Sequence, residues 1–164
     1  MRFPLEIYDA VRAAFPDDKP VGFKISATDW LDHGWDIEQS VAFSRALHHR
    51  GADWITASSG GISPLQKISA APGYQVPFAA RIKADTEARV MAVGLVTEPA
   101  QADAIIANGE ADMVALARAM LYDPRWPWHA AAALGGTVSA PQPYWRAPPA
   151  SARAIFGQTV TGIR

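Results

Sequence analysis

The chain has 164 residues, 49% of them hydrophobic and 19% charged, the balance of a soluble domain able to bury a core. Lys and Arg total 15 against 16 for Asp and Glu, so a formal net charge of -1 offers no global field for nucleic acid or an anionic membrane, and any cationic work is local. The absence of cysteine excludes a disulfide, a thiolate metal site and a cysteine nucleophile and fits a cytoplasmic protein; no apolar run approaches the roughly 18 residues of a membrane span, and the start, MRFPLEIYDA, lacks the basic-then-apolar plan of a signal peptide.

Pro4 suits the first turn of a helix that Pro16 ends, with Leu5, Ile7, Val11, Ala14 and Phe15 at helical spacing. VGFKIS (21–26) alternates as a strand, and a polar connection leads to a helix from about Asp36, apolar at Phe43, Ala46 and Leu47 and closed by Gly51. ADWITAS (52–58) is the second strand, followed by a Gly/Ser/Pro loop and a helix through VPFAARIKA. VMAVGL (90–95) is the third, and the helix after it stops at Asn108 and Gly109. DMVALA (112–117) is the fourth, before a helical segment with an aromatic cluster, DPRWPWHAAAALGG. After Gly136, prolines at 141, 143, 148 and 149 favour an extended arm over a packed element, so we expect a domain over 1–136 and a proline-rich arm over 137–164.

Strand and helix alternate four times with few charges inside the strands, the pattern of βαβ units and a parallel sheet; the class is α/β. Four such units allow a small open sheet or half of an eight-stranded barrel, a fold that normally needs about 250 residues. A half-barrel alone would expose two strand edges, so it either pairs with another half or is a fragment.

Three positions point to chemistry. Alternation sends Gly22, Lys24 and Ser26 to one side of the first strand; there Lys24 either meets an anionic partner in a barrel lumen or cleft, or is solvated at a sheet edge. Gly94, at the end of the third strand, either lets a phosphate approach the backbone or simply turns the chain. Arg118 interrupts DMVALARAML where the fourth strand gives way to helix formers, as an anion ligand or as a surface arginine. Phosphate sites of (β/α)8 barrels are often built after strands seven and eight, the places Gly94 and Arg118 hold if this is a barrel's second half. His33, His48, His49 and His129 show no metal-ligand spacing, so no metal site is expected. SSGGISP is neither a dinucleotide fingerprint nor a nucleophile elbow and reads as a loop at the strands' C-terminal face; Trp126, Trp128 and His129 read as packing.

VGFKISATDW, ITASSGG, PGYQVPFAARIK, AVGLVT and ADMVALARAMLYDPRWPWHAA, in this order and spacing, resemble the C-terminal half of the old yellow enzyme family of FMN-dependent oxidoreductases, over about Met1 to Arg146. The resemblance is greatest to the bacterial NADPH dehydrogenase and xenobiotic reductase subclass. It implies a (β/α)8 TIM barrel represented here by strands five to eight. It implies FMN as cofactor, NADPH or NADH as reductant, and an enone-like small molecule as hydride acceptor. Lys24 holds the place of the family's basic residue beside the flavin's N1 and C2 carbonyl; backbone at Gly94, with Ala117 and Arg118, holds that of the FMN phosphate site. Tyr144-Trp145-Arg146 matches the Tyr-x-Arg whose arginine enters a neighbouring subunit's site, which implies a homo-oligomer.

Two departures accompany the match. Lys24 replaces the usual arginine, giving a point charge in place of a planar fork. The family's substrate-anchoring His/His or His/Asn pair and its proton-donating tyrosine lie upstream of this chain, so none of its residues is assigned as catalytic. Met1 resembles an internal methionine of the family, and the expectation is a truncated product or partial sequence. The rival readings are a non-catalytic half-barrel that binds FMN or another phosphate ligand or only dimerises, and a different phosphate-binding barrel enzyme.

Overall fold

A computed structural model describes residues 1–157. Along them run α1 (Arg2–Ala14), β1 (Phe23–Ser26), α2 (Ile37–His48), β2 (Ile55–Ser58), α3 (Val76–Asp85), β3 (Val90–Ala92), α4 (Pro99–Ala107), β4 (Met113–Val114), α5 (Arg118–Tyr122) and α6 (Trp126–Ala133), then 3-10 turns at Gln142–Tyr144 and Ala150–Phe156. Two compact units result, one made of Met1–Val96 with Ala104–Leu116, the other of Thr97–Asp103 with the chain from Ala117 onward.

The first unit holds one sheet in the order β1-β2-β3-β4, every pair parallel. A doubly wound open sheet reverses direction at a switch point, whereas a barrel winds one way. Of the two architectures the sequence left open, the one-way order is that of a barrel segment. The strands are shorter than the apolar runs predicted. β3 ends at Ala92 because Gly94 and Leu95 both take positive φ, +121° and +52°, and turn the chain. Single ladder bonds continue past the strand ends, from Phe23 N to Trp54 O and from Ala115 N to Ala92 O.

Register decides which side chains share a face. Phe23, Ile55 and Val90 stand in one row, and Ile55 and Val90 are fully buried. Phe23 meets Tyr8 of α1 and packs edge-on against Phe43 of α2, so this face carries the helices and the core. The next row, Lys24, Thr56, Met91 and Met113, lies on the opposite face, where Lys24 and Ser26 are exposed. α2 starts cleanly because Asp36 and Gln39 form a reciprocal capping box, and Ser40 links the Trp35 indole to the Ala27 carbonyl inside the core.

α1 forms where the spacing placed it and ends before Pro16. Its buried face is built on Tyr8, with Leu5 and Arg12 half-covered, while Phe3 (72% exposed), Ile7, Val11 and Phe15 form an exposed stripe at i, i+4 spacing. The helix has two apolar faces, and tertiary bonds choose between them. Arg12 donates to the carbonyls of Phe15, Pro16 and Lys19 and faces Asp53, whose carboxylate accepts the Val21 amide. Burial pushes the Tyr8 phenol upward, against the opposing charge of Arg12.

In the second unit Trp126 donates its indole N–H to Thr97 O, and Trp128 packs edge-on against Tyr144 and Phe156. Arg125 stacks over both Trp128 and Tyr144. The proline-rich segment, expected to be extended, therefore folds back: Ile155 and Phe156 are buried, Val138 N bonds to Ile155 O, and Pro141 and Pro149 open 3-10 turns. Aromatic anchors outweigh the extended preference of the prolines. The last seven residues of that segment lie outside the described residues. Among the described residues no helix is long and apolar enough to cross a membrane.

Candidate functional site

Three loops gather at the C-terminal ends of β1, β2 and β3. The loop after β1 closes on itself through Asp29, whose amide donates to Trp35 O and whose carboxylate accepts Trp35 N. Gln66, in the loop after β2, donates to Asp29 O and accepts the amides of Gly61 and Ile62. This SSGGISP loop thus sits at the strands' C-terminal face, as its composition suggested.

The turn after β3 is the most constrained part. The Gly73 amide donates to the Gly94 carbonyl at 2.8 Å. Gln75, 3% exposed, accepts the Ser59 hydroxyl at 2.6 Å and lies so close to Gly94 that a Cβ there would meet its Nε2 at 2.8 Å. Glycine at 94 is thus required twice, by φ and by Gln75. Among the described residues the amides of Gly94, Leu95 and Val96 donate no hydrogen bond. Consecutive unpaired N–H groups in a turn with positive φ form a concavity suited to anions.

Lys24 belongs to the same unit, exposed on the open face of β1 and without a hydrogen bond or ion pair among the described residues. The solvated alternative for Lys24 matches its exposure, and its charge is uncommitted. Ala117 and Arg118 belong to the second unit. Arg118 opens α5, is exposed, and likewise makes no bond or ion pair among the described residues. Arg146 is exposed on the segment that Tyr144 and the Trp145 indole, bonded to Ala140 O, anchor. Of the expected residues, then, Lys24 and Gly94 fall in one unit and Ala117, Arg118 and Arg146 in the other. The histidines that pair do so singly, His129 with Asp123 at 2.6 Å and His48 with Glu87 at 4.0 Å.

Gln75 is the residue that sequence reasoning missed. No local signal marks it: it stands at the N-cap of α3 without capping it, and its partner Ser59 is 16 residues away.

The model of the NADH:flavin oxidoreductase / NADH oxidase family matches residues 1–135. An NADPH dehydrogenase of Geobacillus sp. (strain WCH70) is 43% identical over 145 residues, 88% of this chain and 42% of that protein. An NADPH dehydrogenase of Bacillus subtilis (strain 168) is 36% identical over 145 residues, with the same coverage of 88% and 42%. Among solved structures, a 2-naphthoyl-CoA reductase in complex with 2-naphthoyl-CoA aligns with a TM-score of 0.71 at 24% identity, over 82% of this chain and 21% of that one. Morphinone reductase aligns with a TM-score of 0.59 at 23% identity, over 87% and 36%. The chain spans about two fifths of the length of the curated relatives it matches.

Proposed function

The chain belongs to the NADH:flavin oxidoreductase / NADH oxidase family, and from that premise we propose that it is the flavin-holding part of an FMN-dependent NAD(P)H oxidoreductase of the ene-reductase type. In this reading β1 to β4 are strands five to eight of a (β/α)8 barrel. The one-way parallel order, the open sheet face and the exposed stripe on α1 support it, since further βα units would cover such surfaces.

The observation that carries the proposal is the run of unpaired amides at Gly94, Leu95 and Val96. They suit a phosphate such as that of FMN; Arg118, in the other unit and a cation with no protein partner among the described residues, is by its own chemistry suited to a phosphate dianion. Ala117 beside it leaves room. Lys24 suits the flavin's pyrimidine edge, where a cation stabilises negative charge. Bound FMN supplies hydride transfer, from NADPH or NADH to an electron-poor alkene such as an enone. Arg146 closes a neighbouring subunit's site in a homo-oligomer. Within the chain, 1–136 forms the barrel segment and 137–164 the arm.

Titrating the purified chain with FMN and then adding NADPH without oxygen tests the reading. Flavin uptake with bleaching supports the oxidoreductase. Uptake without bleaching favours a non-catalytic binding module, and no uptake of FMN removes the flavin assignment of this chain's residues.

A further inference from the structure

We infer that Gln75, braced by Ser59, is a positioning residue that holds the Gly94–Val96 turn with its amides free to receive a ligand; the flavin reading above supplies only the identity of that ligand. A polar side chain buried to 3% exposure costs stability unless it is used. Gln75 does not cap α3, at whose head it stands. Its oxygen is committed to the Ser59 hydroxyl at 2.6 Å, which fixes the carboxamide plane and turns its nitrogen toward Gly94. The carboxamide nitrogen, Cβ and Cγ of Gln75 stand 2.8, 3.0 and 3.1 Å from where a side chain on Gly94 would begin, so they wall one side of that residue.

The Gly73 amide holds the Gly94 carbonyl from another direction at 2.8 Å. With its carbonyl committed and one side walled, the turn keeps φ of +121° at Gly94 and +52° at Leu95, and three successive amides are left without protein acceptors among the described residues. The two ends of the loop between β2 and α3, at Ser59 and Gly73, and the turn after β3 thus meet around one carboxamide. A residue present only for packing would be apolar there.

The test uses the full chain with Gln75→Met, which keeps the side-chain length and removes the amide, and Ser59→Ala, which removes the brace. Amide hydrogen exchange by NMR reports the Gly73 N–H, with the Ile55 N–H of the sheet as reference. Titrations with FMN and with inorganic phosphate report affinity. Both variants should lower Gly73 protection about tenfold, the loss of roughly one hydrogen bond's worth of local stability, while Ile55 protection holds. FMN and phosphate affinities should fall by a similar factor. Unchanged Gly73 protection, or a loss matched at Ile55, overturns the inference. If the parent chain takes up neither FMN nor phosphate while Gly73 responds as expected, the flavin reading fails and the positioning role stands.

Discussion

The Lys83 ammonium donates to the Asp112 carboxylate at 2.8 Å, and the same carboxylate accepts the Val90 amide at 2.8 Å, so one side chain before β4 ties α3 to the first residue of β3. Burial alone raises the pKa of Asp112, but the bonds from Lys83 and Val90, with the charges of Lys83 and Arg89, outweigh it and hold the carboxyl below its usual range. A depressed folded-state pKa contributes stability that is present above the unfolded value of about 3.9 and lost as pH falls through the folded value. Asp112→Asn should therefore flatten the acid limb of the urea midpoint against pH. Asp112→Ala also strips the acceptor from a buried amide and should cost about 1–3 kcal/mol at neutral pH. An acid limb identical to the parent's would show that Asp112 is not the titrating clasp.

Gly94→Ala confronts two obstacles, a φ of +121° and contacts of 2.8 to 3.1 Å with Gln75. Holding an L-residue in such a conformation costs about 1–3 kcal/mol. Urea denaturation should show a loss of that size. Adding Gln75→Ala removes the Nε2 and Cγ contacts but leaves Cβ and the torsional strain, so the double variant should lose less than the sum of the singles. Strict additivity would mean that Gln75 and Gly94 do not touch in solution.

What was legible in the chain follows the range of the physics. Period-two alternation placed Phe23 and Ile25 against Lys24 and Ser26, and the register confirms two faces. Five motif segments pointed to a family that matches residues 1–135. α1 was legible as a helix, but its buried face was not, because that choice lies with the Arg12–Asp53 pair, formed only after folding. Likewise the prolines after Gly136 hid a packed segment, because Trp128, Tyr144 and Phe156 meet only in three dimensions. Gln75 was invisible for the same reason: Ser59 is 16 residues away in sequence, and nothing local announces their bond.

Lys24 tests the flavin end of the proposal. It is exposed and makes no bond among the described residues, so Lys24→Gln should leave the unfolding midpoint within about 0.5 kcal/mol of the parent. FMN affinity should drop roughly tenfold, the worth of one charge-assisted hydrogen bond, and Lys24→Arg should restore most of it. A neutral glutamine variant that binds FMN as tightly as the parent would return Lys24 to the role of a solvated edge lysine.

Arg118 tests the phosphate end and separates a ligand residue from a surface one. It opens α5, a helix of five residues with no buried side chain, so folding gains little from its guanidinium. A phosphate dianion would gain a bidentate, charge-assisted contact. Arg118→Ala should then weaken FMN binding by about one order of magnitude or more while shifting the urea midpoint by less than about 0.5 kcal/mol, and Arg118→Lys should recover only part of the affinity, because an ammonium keeps the charge and loses the fork. Riboflavin, which lacks the phosphate, supplies the control: its affinity should not respond to either substitution. Equal losses for FMN and riboflavin would trace the effect to the fold of the segment around α5 and not to a phosphate contact.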